Sequence, residues 1–325
     1  MKRIIFICPF FGKLPPHCQL WLNSCARNET IVWLLITDDR REFDYPSNVI
    51  VRYSTLAEEK KRYQKKFDFP IALEGIKKLG DYKPLFGYLY EEGIQGYDYW
   101  GHIDVYDEIY GNLRNFLTDD LLKKYDKLMV CGHMGLYRNS YEVNRRFMLR
   151  SDLNRTYKDV FSSPGFYNFE EFVPGSITRI YLRNGWKICR LDENIADVYY
   201  LKYQFTRHRW SNDFNSIKKY RPVPMIFAWE DGALYMYSVE GGKLVKTEFM
   251  YIHFRLRKMK VEVRQNAEKY LILPDGFYEM PERITKEFVI RNSKPKWFYP
   301  PKWSMIKQSL IHEREKYGYR KNSNR

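Results

Sequence analysis

The chain has 325 residues, of which 44% are hydrophobic, so it is long enough to bury a large core, and this composition excludes a disordered protein. Its formal net charge of +15 predicts a partner rich in negative charge, which leaves nucleic acid, anionic lipid and diphosphate-bearing substrates as candidates. Five cysteines without CxxC spacing indicate reduced thiols and a cytosolic compartment, and no stretch approaches the roughly 20 apolar residues of a membrane span.

The first forty residues have the pattern of a βαβ unit. Residues 3–8 are a continuous apolar run that ends before Pro9, which predicts a buried parallel strand. Residues 18–25 carry apolar side chains at helical spacing, and residues 31–36 predict a second buried strand. A ligand is therefore expected beyond the carboxyl ends of these strands.

Alternating strand and helix patterns continue to about residue 131. Further strands are predicted at 49–53, 97–103 and 127–131, and further helices at 56–66, 83–92 and 113–125. Later, residues 225–239 predict a hairpin whose turn lies at 230–232. The expected fold class is α/β, with a mostly parallel sheet in the first 130 residues or so.

The segment that bears most directly on function is YWGHIDVYDEIYG, residues 99–111. Hydrophobic strand residues run straight into Asp104, Asp107 and Glu108. Carboxylates at the end of a strand are placed to hold Mg²⁺ or Mn²⁺ against a nucleotide diphosphate, and such an ion stabilises the charge of the leaving group. A solvated acidic turn is the alternative interpretation of the same residues.

Several motifs accompany this segment in a characteristic order. They are PFFGKLPP at 9–16, WLLITDD at 33–39, KLGDYKPLFG at 78–87, GHMGLYRN at 132–139 and YIHF at 251–254. Over residues 1–260, the combination resembles a family of GT-A-type glycosyltransferases found in bacterial capsule and O-antigen gene clusters.

That resemblance implies a GT-A-like, Rossmann-type nucleotide-binding sheet with helices on both faces, followed by a C-terminal amphipathic tail. It implies transfer of a sugar from a nucleotide-sugar donor, expected to be UDP-linked, to a glycan acceptor, expected to be lipid-linked. The implied division is a nucleotide-sugar-binding half at 1–135, an acceptor-side half of the same domain at 136–291 and a basic aromatic tail at 292–325.

The metal site departs from the family pattern at one point. The family has Asp-x-Asp, whereas two residues separate Asp104 from Asp107 here, so the pattern matches at either aspartate. Both carboxylates can bind the ion if a bulge absorbs the extra residue. By resemblance, His253 completes the metal shell, and its imidazole suits Mn²⁺ better than Mg²⁺. A hydrogen-bonded core histidine is the alternative for His253.

The loops after the first two strands are expected to hold the nucleoside. Asp38 and Asp39 resemble the position at which such enzymes bind the ribose or the base. Phe10 is a candidate to stack on the base, and Gly12 permits close approach of the backbone. An ordinary turn is the alternative interpretation of Gly12.

The diphosphate is expected to meet charged side chains from two further segments. By resemblance, Asp81 and Lys83 form a second wall of the donor pocket. Arg255 and Lys258 follow His253 and suit a pyrophosphate clamp, although each also fits a solvated strand face.

Glu170 is the candidate general base. It forms an acidic pair with Glu171 among aromatic residues, and an inverting transferase needs a carboxylate to remove the proton of the acceptor hydroxyl. Asp107 is the other candidate catalytic residue, through the metal. A solvated pair at the start of a helix is the alternative for the two glutamates.

The tail predicts where the protein acts. Residues 292–325 hold nine Lys or Arg against two Glu, and they include Trp297, Phe298, Tyr299 and Trp303, which favour a membrane interface. We expect a cytoplasmic protein bound peripherally to the anionic inner face of the cell membrane. A clasp that packs back onto the enzyme is the alternative.

Other classes of protein fit parts of the sequence. A nucleic-acid-binding protein would explain the charge, but the acidic strand ends and the concentration of positive charge in the tail disfavour it. A glycoside hydrolase would use two carboxylates without a metal or a diphosphate clamp. A non-catalytic GT-A-like protein would follow if the altered aspartate spacing abolished metal binding.

Overall fold

The computed structural model describes residues 1–105, 107–199, 202–210, 217–219 and 223–297. The first elements are β1 (Ile4–Phe10), α1 (Cys18–Ala26), β2 (Ile31–Thr37), β3 (Val49–Tyr53), α2 (Leu56–Gln64), α3 (Ile76–Tyr82), α4 (Phe86–Leu89), β4 (Tyr99–Ile103), β5 (Glu108–Tyr110), α5 (Asp119–Lys124), β6 (Lys127–Leu128) and β7 (Met134–Arg138).

The remaining elements are α6 (Tyr157–Ser162), α7 (Ile177–Arg183), β8 (Ile188–Cys189), β9 (Ile195–Val198), β10 (Lys202–Tyr203), β11 (Phe205–Thr206), β12 (His208–Trp210), β13 (Ile217–Lys219), β14 (Met225–Glu230), β15 (Ala233–Glu240), β16 (Lys243–Phe249), β17 (Tyr251–His253), β18 (Lys260–Glu262), β19 (Lys269–Leu273), β20 (Gly276–Glu279), α8 (Lys286–Asn292) and β21 (Lys296–Trp297).

A mixed sheet of seven strands forms the centre, in the order β3-β2-β1-β4-β7-β6-β8. Strands β3, β2, β1 and β4 run parallel, as their apolar runs predict, and β7 is antiparallel to both neighbours. The chain moves outward from β1 to β2 and β3, then returns to the other side of β1 as β4. This reversal is a topological switch point, and the α/β fold class is confirmed.

Two larger sheets are built mainly from the second half of the chain, beside the two-stranded pairs β10-β21 and β12-β13. A four-stranded sheet has the order β11-β9-β17-β5, and a six-stranded sheet has the order β16-β15-β14-β19-β20-β18. The predicted hairpin at 225–239 is confirmed as β14 and β15, and positive φ angles of 51° at Asp231 and 94° at Gly232 form its two-residue turn.

The two faces of the central sheet bury different elements because side chains alternate along a strand. Ile4 and Phe6 belong to a cluster with α1 and the second and third sheets, whereas Ile5 and Ile7 pack with α3, α4 and α7. The first cluster joins residues of both predicted halves, for example Phe6 and Trp229.

Several element boundaries differ from the sequence prediction. A helix expected at 83–92 begins earlier as α3, and a short 3-10 turn at Pro84 leads from α3 into α4. Only a 3-10 turn and α5 occupy 113–125, since Thr118 caps α5 by accepting the Leu121 N–H. Strand β6 ends at Leu128, because Met129 has a φ of 61°.

No helix in the described ranges is both long and apolar enough to span a membrane. The predicted tail at 292–325 begins inside the fold, because α8 extends to Asn292 and β21 pairs with β10. Residues 298–325 lie outside the described part of the chain, so the predicted amphipathic tail and its aromatic residues after Trp297 do too.

Candidate functional site

The predicted acidic turn lies at the switch point, where β4 ends beside β1. The Asp107 N–H donates to the Asp104 carbonyl at 3.1 Å, so a hydrogen bond typical of a tight turn joins the two aspartates. The chain then leaves the central sheet as β5 and enters the four-stranded sheet. Asp104 and Asp107 therefore lie at the junction of the two sheets.

Strand pairing brings His253 to this turn. Strand β17 is antiparallel to β5, with His253 opposite Glu108, and parallel to β9, with His253 beside Asp197. Nε2 of His253 lies 3.0 Å from Oδ2 of Asp107 and 3.8 Å from Oδ2 of Asp104. The structure thus brings together all three residues predicted for the metal site.

The other ring nitrogen of His253 faces a carboxylate that was not predicted. Nδ1 lies 3.3 Å from Oδ1 of Asp197, which also accepts from Nε of Arg255 at 2.7 Å. Burial raises the pKa of Asp197, but Arg255 and His253 outweigh it and hold that pKa well below its usual range. Asp197 therefore stays ionised and fixes the orientation of the imidazole.

Protonation of His253 follows from its two carboxylate neighbours. Burial lowers the pKa of His253, but Asp107 and Asp197 outweigh it and raise the pKa well above its usual value. The ring also stacks on His133, with centroids 4.2 Å apart and planes inclined by 17°. His133 is held in turn by the Tyr251 hydroxyl, 2.8 Å from its Nδ1.

A strained loop closes the site after β17. Arg255 and Leu256 have φ angles of 54° and 59°, a left-handed conformation that is costly for residues other than glycine. In this conformation the Leu256 N–H lies 2.6 Å from both carboxylate oxygens of Asp107. The loop therefore orients Asp107. The Arg255 side chain lies near the site but already pairs with Asp197.

Lys83 reaches the same acidic turn from the helical side of the sheet. Its ammonium group donates to Oδ1 of Asp104 at 2.6 Å and to the Gly132 carbonyl at 2.9 Å. Burial lowers the pKa of Lys83, but the charges of Asp104 and Glu170 outweigh it and raise the pKa. A positive charge thus stands permanently beside Asp104.

Glu170 lies close to Lys83 and is buried, with only 6% of its surface exposed. A Cβ placed on Gly132 would fall 2.6 Å from Cγ of Glu170, so the glycine permits this approach. Burial outweighs the opposing effect of Lys83 and, with a smaller contribution from the Glu171 charge, raises the pKa of Glu170 to about 8. Such a carboxyl group changes protonation near neutral pH, as a general base requires.

Asp81 is placed differently from the predicted donor wall. It is fully buried, and Lys78 donates to its carboxylate at 2.9 Å. The backbone N–H groups of Tyr167 and Phe169 also donate to it, at 3.1 and 2.9 Å. The structure therefore uses Asp81 to anchor the loop that carries Glu170.

Lys258 belongs to the strained loop after β17, and its side chain is exposed.

The two aspartates after β2 organise the loop after β1. Asp38 accepts the Gly12 N–H at 2.6 Å, and Gly12 has a positive φ of 107°. Asp39 accepts the Leu14 N–H at 2.8 Å and pairs with Arg41.

The residues of these two loops differ in how exposed their side chains are. Asp38 is exposed beside Gly12, and Phe10 is partly buried against the core at the end of β1. The side chain of Asp39 is 6% exposed. The side chain of Asp38 is therefore open to a ligand at this end of the sheet, whereas that of Asp39 is occupied by the protein.

Sequence reasoning missed two site residues, Asp197 and His133, and it did not predict that the Glu108 side chain is buried. Asp197 comes from a strand 56 residues away from His253, and only the parallel pairing of β9 with β17 joins them. No comparable signal marked Asp197, which lies inside β9 between Ala196 and Val198 rather than at the end of an apolar run. Glu108 is fully buried and accepts from the Tyr110 hydroxyl at 2.5 Å.

The side chains of Asp104, Asp107 and His253 can be compared with the ligands that a divalent ion requires. Two carboxylates and one neutral imidazole suit Mn²⁺, so His253 would have to lose the proton that Asp107 and Asp197 favour before it could bind the ion. The 3.0 Å between His253 and Asp107 is about the separation of adjacent ligands around an ion bound at about 2.1 Å. As they stand, however, no three His, Cys, Asp or Glu side chains within the described ranges are arranged to hold a metal ion. Lys83 occupies one oxygen of Asp104, so an ion would have to displace it.

Fold and site together define a mixed α/β protein with an acidic, His-containing centre at the switch point of its main sheet. The chain belongs to the family of unknown function DUF6625, whose model matches residues 6–281. No curated protein matches the chain. The matched region contains every predicted site residue, from Phe10 to Lys258.

Proposed function

We propose that this protein transfers a sugar from a nucleotide-sugar donor, expected to be UDP-linked, to a hydroxyl group of a glycan acceptor. The observation that carries the proposal is the convergence of Asp104, Asp107 and His253 within 3.0–3.8 Å at the switch point. Ligands of α/β proteins bind at that position, outside the carboxyl ends of the strands. A GT-A-like arrangement of the sheet is part of the same proposal.

The charges at the site fit a diphosphate. A nucleoside diphosphate leaves with about two negative charges, and these must be stabilised as the bond to the sugar breaks. Lys83 lies at the centre of the site, and Arg255 and Lys258 belong to the loop beside it. A divalent cation held by Asp104, Asp107 and His253 would act as a Lewis acid on the diphosphate oxygens.

The reaction assigned to Glu170 is a direct displacement. The acceptor oxygen forms a bond to the anomeric carbon while the bond from that carbon to the diphosphate oxygen breaks. The bonding electrons leave with the diphosphate, and the acceptor proton passes to the Glu170 carboxylate. Its burial supports this role, since a desolvated carboxylate is a stronger base than an exposed one.

Glycoside hydrolysis is the main competing chemistry, because it also uses two carboxylates. A hydrolase needs one acid and one base on opposite sides of a glycosidic bond. Here Asp104, Asp107 and Asp197 instead surround a single imidazole, and a lysine stands beside them. Such a cluster of fixed opposite charges favours binding of a cation or a phosphate group over the protonation of a leaving group.

Calorimetry with UDP, GDP, CMP and dTDP, each with and without MnCl₂, tests the proposal. We expect at least one nucleotide to bind wild-type protein more tightly with Mn²⁺, and Asp107→Asn to lose that increment. Asp120→Asn is the matched control, because the Asp120 side chain is 86% exposed and lies on α5. If all three proteins bind every nucleotide identically with and without Mn²⁺, the acidic turn is structural and the proposal fails.

We further propose that the acceptor is lipid-linked and that the protein acts at the cytoplasmic face of the cell membrane through residues 298–325. That segment holds basic residues and the membrane-favouring Trp303. Intact protein should co-sediment with anionic vesicles at low salt, whereas protein ending at Trp297 should not. Equal sedimentation of the two proteins would remove the membrane role from the tail.

A further inference from the structure

His133 lies within the site, but the proposed reaction gives it no role as a metal ligand or as the general base. It immediately precedes β7, and the carbonyl of the residue before it, Gly132, accepts from Lys83 at 2.9 Å. Lys83 also donates to Asp104 in the acidic turn. His133 is therefore one residue from a direct contact of the site lysine, and its side chain is partly exposed.

Two side chains of β17 hold the ring of His133. Residues two apart on a strand point to the same face, so Tyr251 and His253 both face this ring. The ring stacks on His253, and its Nδ1 lies 2.8 Å from the Tyr251 hydroxyl. The Tyr251 ring also meets it edge-on, with centroids 5.5 Å apart and planes inclined by 72°. One face and one nitrogen of the imidazole are thus fixed before any ligand binds.

The Tyr251 hydroxyl determines which nitrogen of His133 carries the proton. Tyr251 is fully buried, and Nδ1 of His133 is the one hydrogen-bond partner of its hydroxyl among the described residues. A hydroxyl group has a single proton to donate, and burying it without an acceptor is unfavourable. The hydroxyl therefore donates to Nδ1, which must be the unprotonated nitrogen. The proton of the neutral imidazole is then on Nε2, so Nε2 is an N–H donor.

Nε2 of His133 is not used by the described part of the protein. It has no hydrogen-bond partner there, and it does not belong to the polar atoms that are buried there without one. An N–H group cannot bind a metal ion, because ligation needs the lone pair of an unprotonated nitrogen. It binds an acceptor oxygen instead. The ammonium group of Lys83 beside Gly132 favours an oxygen that carries negative charge.

We propose that the Nε2–H group of His133 donates a hydrogen bond to a phosphate oxygen of the diphosphate. His133 then binds the negative charge of the ligand beside Lys83. The choice of a diphosphate rests on the proposed function, whereas the position of the proton rests only on the hydrogen bond with Tyr251. Because stacking and this hydrogen bond already fix the ring, little side-chain entropy is lost when the ligand binds.

Nitrogen-15 NMR of wild-type protein without a ligand tests the position of the proton. We expect His133 to have a protonated Nε2 and an unprotonated Nδ1 that accepts a hydrogen bond, and Tyr251→Phe to abolish the effect of that hydrogen bond on the Nδ1 chemical shift. A proton on Nδ1 together with an unprotonated Nε2 would overturn the proposal, because His133 would then have the form of a metal ligand.

Calorimetry with pyrophosphate tests the ligand, with MnCl₂ kept low enough for manganese pyrophosphate to stay dissolved. His133→Phe keeps an aromatic ring against His253 but has no N–H group, so it should bind pyrophosphate at least about tenfold more weakly than wild-type protein. His133→Gln is the matched variant, because it loses the ring but keeps an N–H donor, and it should bind within about threefold of wild-type protein.

Three results would overturn the proposal: wild-type protein that does not bind pyrophosphate, unchanged affinity in His133→Phe, or a loss in His133→Gln as large as that in His133→Phe. The last result would assign the effect to packing of the ring. Because His133→Phe leaves the Tyr251 hydroxyl without an acceptor, the comparison is repeated between Tyr251→Phe and the double variant that also carries His133→Phe. No buried hydroxyl is left unpaired at this position in either protein.

The outcome for His133 can be separated from the outcome for the proposed function. If the proton is on Nε2 and His133→Phe weakens pyrophosphate binding, but wild-type protein turns over no nucleotide sugar, the proposed function fails and the binding role of His133 stands. If a nucleotide sugar is turned over and His133→Phe binds pyrophosphate like wild-type protein, only the role of His133 fails.

Discussion

Two turns at the same end of the central sheet contain aspartates, and they use them in opposite ways. After β2, Asp38 and Asp39 accept hydrogen bonds from the backbone of the loop after β1, and Arg41 neutralises Asp39. After β4, Asp104 and Asp107 face His253 and Lys83, which come from distant parts of the chain.

The difference lies in what other elements contribute. The turn after β2 is completed by neighbours in its own βαβ unit, so its carboxylates stabilise local structure. The turn after β4 lies where the central sheet meets the four-stranded sheet, and it receives side chains from β17, β9 and the segment after α3. An acidic turn at a strand end becomes a candidate site when a second sheet supplies the other charges.

Among the predictions that distinguish the two turns, the largest change in turnover is expected at Glu170. This residue lies close to Lys83, which contacts Asp104 in the turn after β4. Glu170→Gln keeps the shape and removes the basicity, so turnover should fall at least about a hundredfold while nucleotide affinity stays unchanged. In wild-type protein, turnover should rise with pH through a midpoint near the Glu170 pKa of about 8. A pH series of initial rates for both proteins measures this.

Glu92→Gln is the control for that series, because the Glu92 side chain is 91% exposed and pairs with Lys66 rather than with a residue of the site. It should keep both the rate and the pH profile of wild-type protein. A Glu170→Gln variant with the same rising limb as wild-type protein would assign the titration, and the base, to another group.

An intermediate effect is expected at Asp197, which orients His253 without facing the substrate. The partner of a metal-binding histidine usually changes metal affinity by about 10- to 100-fold when it is replaced. Asp197→Asn should therefore weaken the Mn²⁺-dependent part of nucleotide binding by about that factor, as measured by calorimetry. The thermal unfolding of the variant must be recorded as well, because Asn no longer neutralises Arg255.

A loss of nucleotide binding in Asp197→Asn that is equally large without Mn²⁺ would indicate general damage to the site rather than altered orientation of His253. The two turns differ here too. Among the described residues no carboxylate supports Asp38 as Asp197 supports His253, so an effect that depends on the metal is expected at the turn after β4 and not at the turn after β2.

Sequence patterns predicted the parts of the fold and site that are local. The strands β1, β2 and β4 are continuous apolar runs, and Asp104 and Asp107 follow one of them directly. Asp197 could not be predicted as a partner of His253, because parallel pairing of β9 with β17 joins residues 56 positions apart.

Burial also determines what a carboxylate does in the structure, and spacing in the sequence does not reveal burial. Asp81 matches a motif of the resembled family, yet its carboxylate is fully enclosed by Lys78 and two backbone N–H groups. Whether a carboxylate faces solvent or the interior depends on the loop that covers it. That loop, residues 166–172, has no regular pattern in the sequence from which its path could be inferred.

The smallest effects are expected at the turn after β2, and they should differ between its two aspartates. Asp39 has a side chain only 6% exposed and holds both Leu14 and Arg41, so Asp39→Asn should lower the free energy of unfolding by about 1–3 kcal/mol. Asp38 is exposed and makes one bond to the Gly12 N–H, which an asparagine oxygen can also accept. Asp38→Asn should therefore unfold within about 0.5 kcal/mol of wild-type protein.

Nucleotide binding should reverse the order of these two variants. If Asp38 accepts a hydrogen bond from the ribose or the base, Asp38→Asn loses a charge-assisted bond and should bind the nucleotide about tenfold more weakly, with or without Mn²⁺. Asp39→Asn should bind within about twofold of wild-type protein at a temperature where both are fully folded, because its carboxylate is already occupied by the protein. Denaturant unfolding and calorimetry on the two variants give both quantities. If Asp38→Asn and Asp39→Asn lose the same affinity for the nucleotide, the distinction drawn between Asp38 and Asp39 is wrong. The loop after β1 would then bind the nucleotide as one rigid unit.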